Sequence, residues 1–238
     1  MIEIDMHTQP NDETCGPTSL HAIYRYYGKD IALQDIIHEV ERSVSGGTLA
    51  SMLGKHALSS GFSATIYISN VAIFDPTWFD QGEADSIKLI DKLQQQIEHK
   101  REAPMIQACN AYTQFLQMGG NIRFHTVSVP LLKHYFNLKA PILTGLSATY
   151  LYRCAREFYT DDGISTYDDV RGTPCGHFVV LCGYDDHHRL VVVADPHRSN
   201  PLSQDNYYKV SSHRLINAIM LGVLTFDANL LIIQPGEN

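Results

Sequence analysis

Long apolar runs are missing from this 238-residue chain. The longest stretches, LVVVADP and LINAIMLGVL, fall well short of the roughly eighteen residues that a membrane span takes, so no membrane partner is expected. The amino terminus, MIEIDMHTQPND, has neither the basic start nor the apolar core of a signal peptide. Basic residues are in the minority, 18 Lys and Arg against 26 Asp and Glu, for a net charge of -8. A nucleic-acid surface takes clustered Lys and Arg, and that balance argues against one. Cysteine is scarce as well: Cys15, Cys109, Cys154, Cys175 and Cys182 are an odd set with no CxxC pair. A chain of this length can bury a core without disulfide staples. These absences point to a reducing, cytoplasmic setting. Internal repeats, low-complexity linkers and a GxxxxGK[ST] phosphate loop are also absent.

What is present is an ordinary globular composition, 44% hydrophobic and 18% charged, enough for one large domain spanning 1–238. Pro17 opens a helical pattern in which Leu20, Ile23, Tyr24 and Tyr27 recur, and Gly28 stops it. LQDIIHEVERS, TLASMLGKHALSSG, ADSIKLIDKLQQQIEHKRE, MIQACNAYTQFLQMGG and VPLLKHYFNL read as further helices, with FSATIYIS as a strand among them. Then the character changes. APILTGLSA, HFVVLCGYD, RLVVVADP and NLLIIQP are short, apolar and β-branched, and HRLINAIMLGV is a helix between the last two. The expected class is α+β, with a helical lobe from the N-terminal side and an antiparallel sheet lobe from the C-terminal side. The polar segment YTDDGISTYDDVRGTPCG, residues 159 to 176, is expected to be a long mobile loop, and residues 159 to 175 a gate over a substrate.

Cys15 stands between the polar NDET and the helix that begins behind it. Free cysteine usually serves as a small buried hydrophobe. At a helix amino terminus, though, unpaired N–H groups and the helix dipole favour the thiolate, which is the nucleophilic form. Such a thiol needs a base. His177 opens the strand HFVVLCGY, and a strand-end histidine can project into a cleft; the plainer reading is a strand-edge residue with no role. The run HFVVLCGYDDHHRLVVVAD reads as a hairpin, which makes Asp195 a spatial neighbour of His177 and able to orient its ring. Otherwise Asp195 is a turn residue ahead of proline. Gln9, with the Cys15 amide, is placed to donate to an oxyanion.

A metal centre competes for some of these residues. Cys175, His177, Cys182, His187, His188 and His197 are close in sequence, but their spacing fits paired zinc ligands poorly. DDGISTYDD lacks the ordered spacing of a calcium loop.

Gln9, Cys15-Gly16-Pro17, Gly176-His177-Phe178-Val179-Val180 and Asp195-Pro196, in that order, resemble the papain-like cysteine peptidases. The chain is most similar to the bacteriocin-processing, double-glycine leader peptidase group. GGTLASMLGKHALSSGFSATIY and APILTGLSA share in the likeness, which leaves about 70–138 as a helical insertion without a counterpart. The resemblance implies the papain-like fold, with Gln9 at the oxyanion, Cys15 as nucleophile, His177 as base and Asp195 as its orienting acid. It implies a peptide or protein substrate and no metal or organic cofactor. Without a transporter's membrane or nucleotide-binding parts, cleavage after a double glycine is not implied. Two other outcomes share the fold: an amidase, deamidase or transamidase acting on a side chain, and a non-catalytic peptide-binding module.

Overall fold

A computed structural model describes residues 1–44, 46–160 and 165–236. In chain order its elements are α1 (Cys15–Tyr26), α2 (Leu33–Glu39), α3 (Ala50–Ser59), β1 (Phe62–Ile68), α4 (Ser86–His99), α5 (Ala103–Gln117), β2 (Asn121–Phe124), α6 (Val129–Asn137), β3 (Ile142–Ser147), α7 (Ala148–Tyr152), β4 (Glu157–Tyr159), β5 (Ser165–Tyr167), β6 (Gly176–Asp185), β7 (Leu190–Ala194), β8 (Tyr207–Ser211), α8 (Ser212–Leu221) and β9 (Asn229–Pro235).

Seven strands form one sheet in the order β2-β1-β9-β3-β6-β7-β8. Only β1 and β2 run parallel; the other neighbours are antiparallel. Every residue of β3 is buried, as are the first five of β9, which means that helices or loops cover both faces at the centre. That is why ILTGLS and NLLII read as apolar runs rather than alternating ones. α3 packs on β1 and β9, α1 on β6, and α8 on β3.

The segments read as helices fold as helices, and HFVVLCGYDDHHRLVVVAD is a hairpin, paired from Val180↔Ala194 to Asp185↔Leu190 with a bulge between Leu181 and Gly183. Two strands of this sheet escaped the sequence. β2 is four residues long, and β8, YYKVS, alternates exposed and buried positions in a polar stretch. The helical N-terminal half contributes β1 and β2 to the sheet, and β9 returns to its middle.

The polar segment after Cys154 departs from the expected loop. β4 and β5 pair antiparallel from Glu157↔Tyr167 to Tyr159↔Ser165, and Glu157 bridges Thr173 as well. Asp168 then ties the following turn, accepting the backbone N–H groups of Val170 and Arg171 at 2.9 and 2.8 Å. The remainder of the expected loop, 161–164, lies outside the described residues.

Candidate active site

Cys15 is the first residue of α1 and 8% exposed. The chain reaches it through a tight turn at Asn11, whose side-chain oxygen accepts the Glu13 N–H at 3.1 Å and whose carbonyl accepts the Thr14 hydroxyl at 3.0 Å. Thr14 provides no side-chain cap, so the positive end of the helix dipole is left beside the thiol. Gly16 is required by packing. A Cβ there would stand 2.4 Å from Thr48 Cγ2 and 3.2 Å from Leu53 Cδ1, so only glycine lets this part of the chain close against α1.

α1 is buried from Cys15 to Tyr24 and lies on β6, where Ser19 Oγ donates to the Phe178 carbonyl at 3.2 Å. Ser19 is about one helical turn beyond Cys15, and Phe178 is one residue beyond His177. This contact therefore sets the register that brings thiol and imidazole together. His177 is 6% exposed and pairs with Leu146 of β3. Its Nε2 lies 2.8 Å from Asp195 Oδ1, and the Cys15 side chain is near enough to favour its charged form. With Nε2 turned to the carboxylate, Nδ1 is the ring nitrogen left for sulfur.

Asp195 follows β7 and is fully buried. Its Oδ1 also accepts the His197 backbone N–H at 2.8 Å, and its Oδ2 accepts the phenols of Tyr152 and Tyr208, each at 2.7 Å. Asn206 secures the backbone from both sides: the Asp195 N–H donates to the Asn206 carbonyl at 2.7 Å, and Asn206 Nδ2 donates to the Asp195 carbonyl at 2.6 Å. Burial alone favours a neutral acid here. The His177 charge, its hydrogen bond and the two phenols outweigh burial and hold Asp195 below the usual carboxylate range. Burial likewise opposes charge on His177, but Asp195 and then Cys15 overcome it and push the imidazole up to about 10. The phenols of Tyr152 and Tyr208 are driven far above their ordinary range, first by burial and next by the carboxylate, so both remain donors.

Gln9 is held beside this loop by its backbone N–H, which donates to the Pro196 carbonyl at 2.9 Å. Its side-chain nitrogen donates to the Asn11 carbonyl at 2.9 Å, and its side-chain oxygen is buried with no partner among the described residues. Two adjoining cavities meet at the site. One, of about 360 Å³, is lined by Cys15, Thr48 and Phe178; the other, of about 200 Å³, by Gln9, Tyr152, His177 and Tyr167. Asp12, Glu157, Cys175 and Gly176 border both.

The structure thus places Cys15 near His177 and joins His177 to Asp195 by a 2.8 Å hydrogen bond, with Gln9 on the wall of the adjoining cavity. Tyr152, Tyr208 and Asn206 were missed. Tyr208 carried one usable signal, the alternation of YYKVS; Tyr152 ends a five-residue helix and carried none. The competing metal cluster disperses: the Cys182 thiol turns to the Val192 carbonyl, and His187 and His188 sit on the exposed β6–β7 turn. Among the described residues no three His, Cys, Asp or Glu side chains gather as a metal site. All five cysteines are free, and no described helix is long and apolar enough to cross a membrane.

A model of the Peptidase_C39 like family matches residues 1–215. Among solved structures, a C39-like peptidase from Bacillus anthracis is similar to the chain at 14% identity and a TM-score of 0.52, with 99% of this chain and 96% of that one covered. A double glycine motif protease from an AMS/PCAT transporter, in complex with its leader peptide, aligns at 14% identity and a TM-score of 0.44, over 98% and 93%. Xylellain, a cysteine protease from Xylella fastidiosa, aligns at 14% identity and a TM-score of 0.45, over 100% and 88%. No curated protein matches the sequence. The fold is that of the C39-like, papain-fold peptidases.

Proposed function

Because the chain belongs to the Peptidase_C39 like family, we propose that it is a cysteine peptidase whose Cys15, His177 and Asp195 cleave a peptide bond through an acyl-enzyme. One observation carries this reading: His177 is hydrogen-bonded to the buried Asp195 carboxylate and lies near enough to Cys15 for the thiol to favour its charge. An imidazolium held charged by Asp195 provides the counter-charge for a Cys15 thiolate. The thiolate attacks the substrate carbonyl, and the scissile C–N bond breaks as His177 delivers its proton to the leaving amine. Water, deprotonated by His177, then releases the acid and regenerates the thiol. Gln9 and the Cys15 amide are assigned to the oxyanion; that role asks the Gln9 amide to turn from the Asn11 carbonyl to the substrate. The chemistry uses no metal or organic cofactor.

The β4–β5 hairpin, which lines the second cavity with Glu157 and Tyr167, is assigned to covering the bound peptide. The chain is read as one domain, with 70–138 as an insertion, and five unpaired thiols favour a reducing, cytoplasmic location. The test is a peptide carrying a cysteine-directed electrophile, followed by mass mapping of the modified residue. Cys15 should be labelled well ahead of the other four cysteines. Labelling spread evenly over them, or turnover that survives Cys15→Ala, would sink the reading.

A further inference from the structure

Asp227 has no part in the chemistry above, yet it lines the cavity that contains Cys15. It is 4% exposed and lies in the short loop between α8 and β9. Its Oδ2 accepts the Thr225 hydroxyl at 3.2 Å, the Asn229 side chain also favours its charged form, and its buried Oδ1 makes no well-formed hydrogen bond among the described residues. The carboxyl fills space that glycines leave open. A Cβ on Gly145 would stand 2.6 Å from Oδ1, and one on Gly176, the residue before His177, 3.2 Å from Oδ2.

This placement costs stability. Phe226 and Ala228, on either side of Asp227, both adopt left-handed backbone at φ 63 and 65. Such conformations are strained for a non-glycine residue and persist where the surroundings enforce them. A buried, half-satisfied carboxyl adds a desolvation cost. Burial, opposed by Thr225 and Asn229, pushes Asp227 up to about 8, so it waits in the acid form for a group that can replace its proton. The rest of the cavity favours the same class of ligand. Asp12, Glu13 and Glu157 line it, and no Lys or Arg does so among the described residues. Glu13 has a partner in Arg42, which reaches it from outside the lining.

We infer that Asp227, on the floor of the Cys15 cavity, binds a lysine or arginine side chain of the peptide substrate and so sets the enzyme's specificity. The cation pairs with the Asp227 carboxyl from the cavity side, and the carboxyl proton leaves to solvent as the ion pair forms. This inference rests on the peptidase reading and names the substrate class of that same site. A charge-assisted hydrogen bond in such a cavity corresponds to about a tenfold or greater preference over an isosteric neutral side chain.

The experiment measures the rate at which Cys15 is alkylated by peptidyl vinyl sulfones bearing Lys, norleucine or Glu at each position in turn. At one position the Lys probe should react about tenfold faster than its norleucine counterpart, with Glu slowest. In Asp227→Asn the Lys-to-norleucine ratio at that position should fall to about one. Should that variant not fold, a carbodiimide cross-link on the wild-type complex gives the assignment. The probe's lysine amine should form an amide with Asp227, the carbodiimide taking up the water lost. Equal Lys and norleucine rates at every position overturn the inference, as does a ratio unchanged in Asp227→Asn, or a cross-link confined to Asp12, Glu13 or Glu157. In each of those cases a reactive Cys15 leaves the peptidase reading standing. A Cys15 inert to every probe, iodoacetamide included, removes that reading and the inference with it.

Discussion

The phenol of Tyr208 donates to Asp195 at 2.7 Å, on the carboxylate oxygen opposite the one that faces His177. With Tyr152 matching it, Asp195 has both oxygens engaged and its charge fully compensated inside the core. The carboxylate that faces His177 is therefore itself held by two aromatic side chains from separate elements, α7 and β8.

Removing either phenol should be felt at the site and in the fold. Tyr208→Phe and Tyr152→Phe each delete a hydrogen bond to a buried charge, and each should cost about 1.5–3 kcal/mol in urea unfolding. Asp195 lies below the usual carboxylate range partly because of these donors, so its folded-state value should rise in each variant. Stability and activity should then fail at a higher pH on the acid side than in the wild type. Unaltered acid limbs in both variants would contradict the clamp.

Alkaline conditions act on His177. Its folded value of about 10 lies above that of an unfolded histidine, so the stabilisation it contributes is full below about pH 6.5 and is lost as pH rises towards 10. Asp195 behaves oppositely, its contribution being lost as pH falls through its depressed value. Urea titrations across this range should show stability declining on the alkaline side, and Asp195→Asn should flatten that decline.

Gly16→Ala tests the packing behind the nucleophile. The added methyl meets Thr48 Cγ2 at 2.4 Å, and overpacking of this kind costs about 1–3 kcal/mol. Because α1 must shift to accept it, labelling of Cys15 by an electrophile should slow as well. The companion change Thr48→Ser, which removes the clashing methyl, should restore both in the double variant.

Asn206 offers a test that leaves every reacting group in place. Asn206→Ala deletes the Nδ2 donor to the Asp195 carbonyl and leaves a buried acceptor unsatisfied, at a cost of about 1–3 kcal/mol in stability. Turnover should fall through displaced geometry, without the change in acid limb expected of the tyrosine variants. A matching pH shift would mean that Asn206 acts on the carboxylate charge rather than on the backbone.

The sequence disclosed the parts of the site that are local. Cys15 could be placed at a helix start from CGP, and the hairpin from His177 to Asp195 from two apolar runs around DDHH, because turn chemistry and periodicity act over a few residues. It also disclosed a family likeness. What it did not disclose is long-range. Tyr152 and Tyr208 reach Asp195 across 43 and 13 residues, and the helix that holds Tyr152 is too short to show a period. Asp227 was invisible for the same reason: its burial depends on Gly145 and Gly176, far away in the chain. The segment around 157–167 misled because its polar composition suits a loop, while β4 and β5 are only three residues each.

The position of β9 bears on when activity can first arise. Residues 229–235 are inserted between β1 and β3, so the strands made early cannot join the half of the sheet that holds His177 until this late segment arrives. A nascent chain halted before residue 229 would display Cys15 without a completed scaffold behind His177. During synthesis at the ribosome, where chains grow by about 5–20 residues per second, the proposed activity would thus be dormant until β9 emerged.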